Sequence, residues 1–259
     1  MVREFQPHVL TLIEAPASSG ARLQNAGLQL ESVERTPTDS DRGLRTFCLS
    51  ERLQLTQRGV DRYHRAYEAV LPGHQPLTLV TVHLPSALHD KGDPDHARRR
   101  ADFCRGFVER VEQDVGHTRT AVYGDFNMNP FAHAMVNFDG LNAMSTAFRA
   151  RRARKLAGAT RATFYNPMWS LLGDRRLDGR VSPAGTYYMD EDGPAGYFWH
   201  MPDQVLIRFE LCAHLGGLNI IDEVGSRSLV SRGARRPAVS DHLPVLFEFN
   251  ESVWTEVPR

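Results

Sequence analysis

Seven acidic, imidazole and amide residues stand where apolar runs break off. Asp125 and Asn127 close "TAVYGDFN", Glu14 closes "HVLTLIE" and His83 closes "LTLVTVH", while Asp203 opens "DQVLIRF" and Asp241 and His242 precede "LPVLFEF". Carboxylates without cysteine suit a hard cation such as Mg²⁺ or Mn²⁺, which takes one or two protein carboxylates and fills its shell with water and substrate phosphate. A histidine beside an aspartate can take a proton from water near neutral pH. An asparagine amide can donate to charge building on a non-bridging oxygen. Together these groups describe metal-assisted hydrolysis of a phosphate ester.

Such residues meet only if strand exits lie beside strand entries. Five stretches read as strands, being short, apolar or β-branched and bounded by breakers: "HVLTLIEAP", "LTLVTVHLP", "TAVYGDFN", "DQVLIRFEL" and "LPVLFEF". "LRTFCLS" and "RYHRAYEAVL" are further candidates, the latter joined to "LTLVTVHLP" by the turn residues Pro72 to Pro76, which predicts an antiparallel hairpin. In an antiparallel arrangement Glu14, His83 and Asp125 at exits converge with Asp203, Asp241 and His242 at entries. Asp125 and Asn127, two apart, would face the same way if the extended conformation persists. Between two of the strands, Ala101, Cys104, Val108, Val111 and Val115 recur at helical spacing and predict a helix laid on the sheet. Arg98, Arg99 and Arg100 read as its solvated face.

"LTLIEAP", "VTVHLP", "GDFN", "MPDQVLI" and "SDHLP", in this order, resemble the endonuclease/exonuclease/phosphatase superfamily of DNase I-like phosphoesterases. The resemblance implies an α/β fold, a four-layer sandwich of two packed, mostly antiparallel β-sheets flanked by helices, and a phosphoesterase dependent on Mg²⁺ or Mn²⁺. Carried over, Glu14 is similar to the principal metal ligand, with Asp241 in the same metal site. His242 is similar to the general base, oriented by Asp203, and Ser240 to a turn-fixing residue. Asp125 resembles the aspartate that contacts the nucleophile or a metal, Asn127 the residue that orients phosphate oxygens, and His83 the second histidine, a donor to phosphate. By this reading loss of the base costs ~10²–10⁴ in rate and loss of the Asn127 donor ~10²–10³.

Two departures bear on the site. The family's first strand, with an asparagine that supports the glutamate, is missing ahead of Glu14, so the expectation is either a true start upstream of Met1 or an incomplete sheet. Across the predicted hairpin, the residue opposite His83 falls near Arg65, and Glu68 is the nearest acid.

The rest of the chain sets bounds. Its 259 residues carry 31 basic and 31 acidic side chains, so attraction to a polyanion must be local. Three cysteines show neither metal spacing nor an even-numbered framework. With no signal peptide and nothing near the ~18 apolar residues of a membrane span, the expectation is a cytoplasmic protein with no obligate protein partner. Residues 1–259 read as a single domain carrying a basic and aromatic insertion at 149–200. There Arg154 and its basic neighbours could track a phosphate backbone and Tyr187 and Tyr188 could stack a nucleobase, or the tyrosines could pack the insertion onto the sandwich. The leading expectation is a phosphodiesterase acting as an endo- or exonuclease. A phosphatase or phosphodiesterase for a small phosphorylated metabolite or lipid headgroup, and an inactive phosphate-binding module, stay open.

Overall fold

The structure is a computed structural model that describes all residues except 29–30, 33–42, 87–94, 174–181, 190–197, 232–236, 239, 251–252 and 254–259. In chain order, helix α1 (Val2–Phe5) leads into strand β1 (Val9–Leu12), helix α2 (Ser19–Asn25) and strands β2 (Glu31–Ser32) and β3 (Arg45–Cys48). Strands β4 (Gln54–Val60), β5 (His64–Val70) and β6 (Leu77–His83) precede helix α3 (His96–Val115) and strand β7 (Thr120–Asp125). Shorter pieces follow: α4 (His133–Val136), β8 (Ala143–Met144), α5 (Ala147–Ala150), β9 (Arg154–Leu156), β10 (Ala159–Arg161), β11 (Phe164–Tyr165), β12 (Tyr187–Tyr188) and β13 (Trp199–His200). Then come β14 (Asp203–Ile207), β15 (Leu215–Ile220), β16 (Glu223–Val224), β17 (Arg227–Ser228) and β18 (Val245–Phe249).

The main sheet has seven strands in the order β4-β5-β6-β7-β14-β11-β8. The expected hairpin joins β5 and β6, with His64 opposite Val82. Strands β6 and β7 run parallel, so the chain between them must cross over one face. Helix α3 makes that crossing and buries Ala101, Cys104, Phe107, Val108 and Val111. Arg100 departs from the solvated face expected of it: it lies four residues before Cys104, on the apolar stripe, and is buried with its guanidinium donating to the Pro85 carbonyl. Arg98 and Arg99 are exposed.

Side chains alternate across the sheet, so each strand serves two cores. Val80, Val82, Val122 and Leu206 pack with α3. Leu77, Leu79, Ala121, Val205 and Ile207 face the other way, towards Cys48, Ile220, Val9, Val245 and Phe247. This second layer comes in two pieces, β1-β3-β2 and β15-β18. It is tied to the main sheet by Thr11 Oγ1 and Tyr123 OH, 3.1 Å apart, and by the Tyr123 and Phe247 rings at 5.1 Å. The result is the expected α/β sandwich. Ahead of β1 lies helix α1, and among the described residues β1 pairs only with β3.

The segment at 149–200 does not merely lie on this sandwich. Its strand β11 joins the main sheet, antiparallel to β14 and parallel to β8.

Candidate active site

The alternation that builds the cores also aligns the polar residues. His83, Asp125 and Asp203 stand directly opposite one another on the adjacent strands β6, β7 and β14. Directly opposed residues share a face, with Cβ atoms about 4.5–5.5 Å apart, and Asp203 is two residues before Val205, so the row faces the second layer. Gly124 makes the close pairing feasible: its φ is 132°, and a Cβ there would meet the Val82 carbonyl oxygen at 2.1 Å.

The second layer supplies the groups above the row. Beyond β1 the chain turns at Glu14, whose φ is 55°, and the Ala15 N–H donates to the Gly43 carbonyl at 2.9 Å. This brings the Glu14 carboxylate to 3.6 Å from His83 Nε2 while leaving its side chain 77% exposed. His83 Nε2 is also 3.8 Å from Asp125 Oδ2. At the other end of the row, His242 Nδ1 lies 2.7 Å from Asp203 Oδ2, which also accepts from Thr186 Oγ1 at 2.6 Å. A carboxylate only accepts, so Nδ1 carries the proton and Nε2 is the nitrogen able to take another. Ser240 Oγ accepts the His242 N–H at 3.4 Å and donates to Asp241 at 3.3 Å, bracing the turn that presents both residues. Tyr187 bridges backbone to His242 and packs its ring 4.9 Å from the imidazole.

Electrostatics separate the two ends. Burial, then the neighbouring Asp203 carboxylate, pushes Asp125 up from 3.8 to about 7, against the pull of the Asn127 N–H. Burial works against charge on His242, but the Asp203 hydrogen bond and the surrounding carboxylates outweigh it and raise the ring from 6.5 to about 9. One carboxyl is therefore poised near neutrality beside a firmly held imidazole proton.

Several expectations change. Asp125 and Asn127 do not project in parallel, because the strand ends at Asp125 and Asn127 adopts a left-handed φ of 52°. Its N–H donates to Asp125 Oδ1 at 2.7 Å and its side-chain amide to Asp125 Oδ2 at 2.9 Å, the local closure that asparagine makes readily. The other amide hydrogen serves the Leu84 carbonyl at 2.8 Å, so both donors meant for phosphate are engaged with the protein. The acids near His83 are Glu14 and Asp125, not Glu68, which pairs with Arg58. Opposite His83 stands Tyr63, whose carbonyl accepts the His83 N–H at 2.9 Å.

Arg154, expected at the substrate, turns inward instead, donating to the Val136 carbonyl at 3.0 Å and Asn142 Oδ1 at 2.8 Å. Its hairpin leads into β11, which pairs with the Ile207 end of β14, opposite the end that carries Asp203. Tyr188 packs against Phe198 and Trp199. Two residues not singled out from sequence join the site: Thr186 on Asp203, and Asn129, which holds His200 Nδ1 at 3.0 Å and the Met201 N–H at 2.8 Å. A signal for Thr186 lay in "GTYY", a polar residue between a glycine and an aromatic strand; a Cβ on Gly185 would meet the His200 carbonyl oxygen at 2.2 Å.

No protein-family model matches the sequence, and no curated protein matches it. Solved structures do. An AP endonuclease from Archaeoglobus fulgidus superposes with a TM-score of 0.53 at 14% identity, over 96% of this chain and 91% of that one. An endonuclease/exonuclease/phosphatase family protein from Bacteroides thetaiotaomicron gives 0.54 at 12% identity, over 95% of this chain and 84% of its own. The chain has the endonuclease/exonuclease/phosphatase, DNase I-like fold. The catalytic domain of human Nocturnin is similar too, with a TM-score of 0.50 at 14% identity over 95% of this chain and 83% of that one. Within this DNase I-like sandwich, no group of three or more His, Cys, Asp or Glu among the described residues gathers closely enough to hold a metal unaided. Nor is any helix among them long and apolar enough to cross a membrane.

Proposed function

We propose that the chain is a divalent-metal-dependent phosphodiesterase, a nuclease by substrate class, working at the row His83, Asp125 and Asp203 beneath Glu14 and His242. The observation that carries this reading is the His242–Asp203 hydrogen bond of 2.7 Å beside a buried Asp125, on a DNase I-like fold.

The donors at this edge suit a hard cation. Glu14 and Asp241 are exposed carboxylates, the three cysteines are absent from the edge, and Mg²⁺ or Mn²⁺ needs only one or two such ligands with water completing the shell. Glu14 and Asp241 would hold the ion. When bound, it would neutralise charge on the phosphate and lower the cost of ionising water. Asp203 fixes the His242 tautomer. A cation held at Glu14 and Asp241 would offset the carboxylates that raise the ring to about 9 and favour its neutral form. In that form Nε2 takes the proton of the attacking water, and the resulting imidazolium is stabilised by Asp203. Water oxygen bonds to phosphorus as the ester oxygen leaves. Asp125, held near 7, can deliver a proton to that oxygen. Asn127 keeps Asp125 oriented, and His83, between Glu14 and Asp125, offers a donor to phosphate.

Hydrolysis of bis-p-nitrophenyl phosphate and p-nitrophenyl phosphate, with Mg²⁺ or Mn²⁺ and then with chelator, tests the class. The diester should turn over faster, and chelator should stop it. Equal rates with chelator would remove the metal dependence, and turnover of the monoester alone would remove the phosphodiesterase reading.

A further inference from the structure

The basic run at 149–161 divides in two. Arg154 and Arg161 turn inward around Phe138, their guanidiniums 5.9 and 4.7 Å from its ring, and Arg161 also binds the Phe138 carbonyl at 2.7 Å and Asp139 at 3.0 Å. Arg149, Arg151, Arg152 and Lys155 point to solvent. No acid occurs in the sequence between Asp139 and Asp174, and among the described residues none of these four cations pairs with a carboxylate. Beside them Phe148 is 78% exposed, the most exposed of the large apolar side chains among the described residues, and Leu156 is 55% exposed.

This cluster lies away from the row. Thr163 Oγ1 donates to the Ala150 carbonyl at 2.8 Å, and Arg208 Nη1 donates to the Thr163 carbonyl at 3.2 Å. Arg208 follows Ile207, the last residue of β14, and its N–H binds Thr120 at the start of β7. From Asp203 to Ile207 is four strand residues, about 13 Å. The cations therefore sit at the end of the sheet opposite the catalytic edge.

We propose that Arg149, Arg151, Arg152 and Lys155, with Phe148, form a docking surface for the phosphate backbone of a single-stranded nucleic acid, separate from the catalytic row. The partner class rests on the phosphodiesterase reading above; the surface itself rests on charge and exposure. Three of the four cations are arginines, whose planar forks match phosphate oxygens and stack on bases. Phe148 offers a face on which any base can stack. An anionic membrane is the weaker fit, because docking there calls for several apolar side chains in one plane, and the cluster presents one ring and one leucine. A strand reaching both places must span the length of β14, so only an oligonucleotide of several residues engages both.

The test is anisotropy of a fluorescent oligothymidine of about twenty nucleotides, titrated with the full chain in chelator so that nothing is cut. Single strands lose about 0.7 in the logarithmic salt slope per phosphate contact removed. Combining Arg149→Ala, Arg151→Ala, Arg152→Ala and Lys155→Ala should thus flatten the slope by about 3, and weaken binding about 50-fold at low salt relative to a fourfold higher salt concentration. Phe148→Ala should weaken binding with the slope unchanged. All five positions are at the surface, so the variants should keep the wild-type urea midpoint. Oligonucleotide binding unaffected by the four substitutions overturns the proposal. So does wild-type binding to phosphatidylserine vesicles with none to the oligonucleotide. Patch-dependent binding without turnover of any diester would support the surface and remove the phosphodiesterase reading alone.

Discussion

His242 holds its proton as firmly as Asp203 allows. Asp203 Oδ2 lies 2.7 Å from its Nδ1 and is itself fixed by Thr186 Oγ1 at 2.6 Å. In metal-free protein the His242 Cε1–H resonance should titrate near 9, and Asp203→Asn should bring the midpoint down towards 6.5. The sign follows from linkage: a ring whose folded value exceeds its unfolded one contributes stability fully below about 6.5, and that contribution is lost as pH rises through about 9. Wild type should therefore lose stability relative to Asp203→Asn across that window. An unchanged midpoint in the variant would separate His242 from Asp203. The types of both residues were legible in "SDHLP" and "MPDQVLI". The turn at Asn127 was not, because nothing in "GDFN" says whether the strand continues past the aspartate or closes on it through an Asx bond.

At the scale of elements, the row depends on how closely β6 and β7 approach. Gly124 faces the Val82 carbonyl with no room for a methyl group, and its φ of 132° disfavours any side chain. Gly124→Ala should cost about 2–3 kcal/mol or more in urea unfolding, through overpacking and backbone strain together. A wild-type midpoint would show that the strands can part without consequence. The central strands were readable as short apolar or β-branched runs bounded by breakers, and α3 from its helical spacing of apolar residues. The short strands from β8 to β13 were not, because two or three residues show no period and gain their place from tertiary pairing. Arg154 departs from its expected place at a phosphate backbone for a related reason: only the fold brings Phe138 and the Val136 carbonyl beneath it.

At the scale of the molecule, one buried ion pair joins the helix layer to the sheet. Arg208, just beyond β14, makes a bidentate pair with Glu112 of α3, both bonds 2.8 Å, and lies 3.8 Å over the Phe164 ring. Glu112→Ala leaves that guanidinium buried and unpaired, and should cost about 3–5 kcal/mol in equilibrium unfolding. A loss below about 1 kcal/mol would mean that the junction relaxes to water. The pair is invisible in sequence, its members being 96 positions apart. What the sequence did show was the set of polar residues ending and opening apolar strands, and the sandwich explains why so scattered a set meets at one edge.

The most direct measurement of the central claim is metal-saturated hydrolysis of bis-p-nitrophenyl phosphate by the wild-type chain, His242→Ala and Asp125→Ala, each checked for an unchanged fold by circular dichroism. Metal-dependent turnover is expected in the wild type, with a loss of about 10²–10⁴ in rate for the base and a comparable loss at Asp125. Turnover in folded His242→Ala or Asp125→Ala at the wild-type rate would contradict the claim and move the chemistry away from this row.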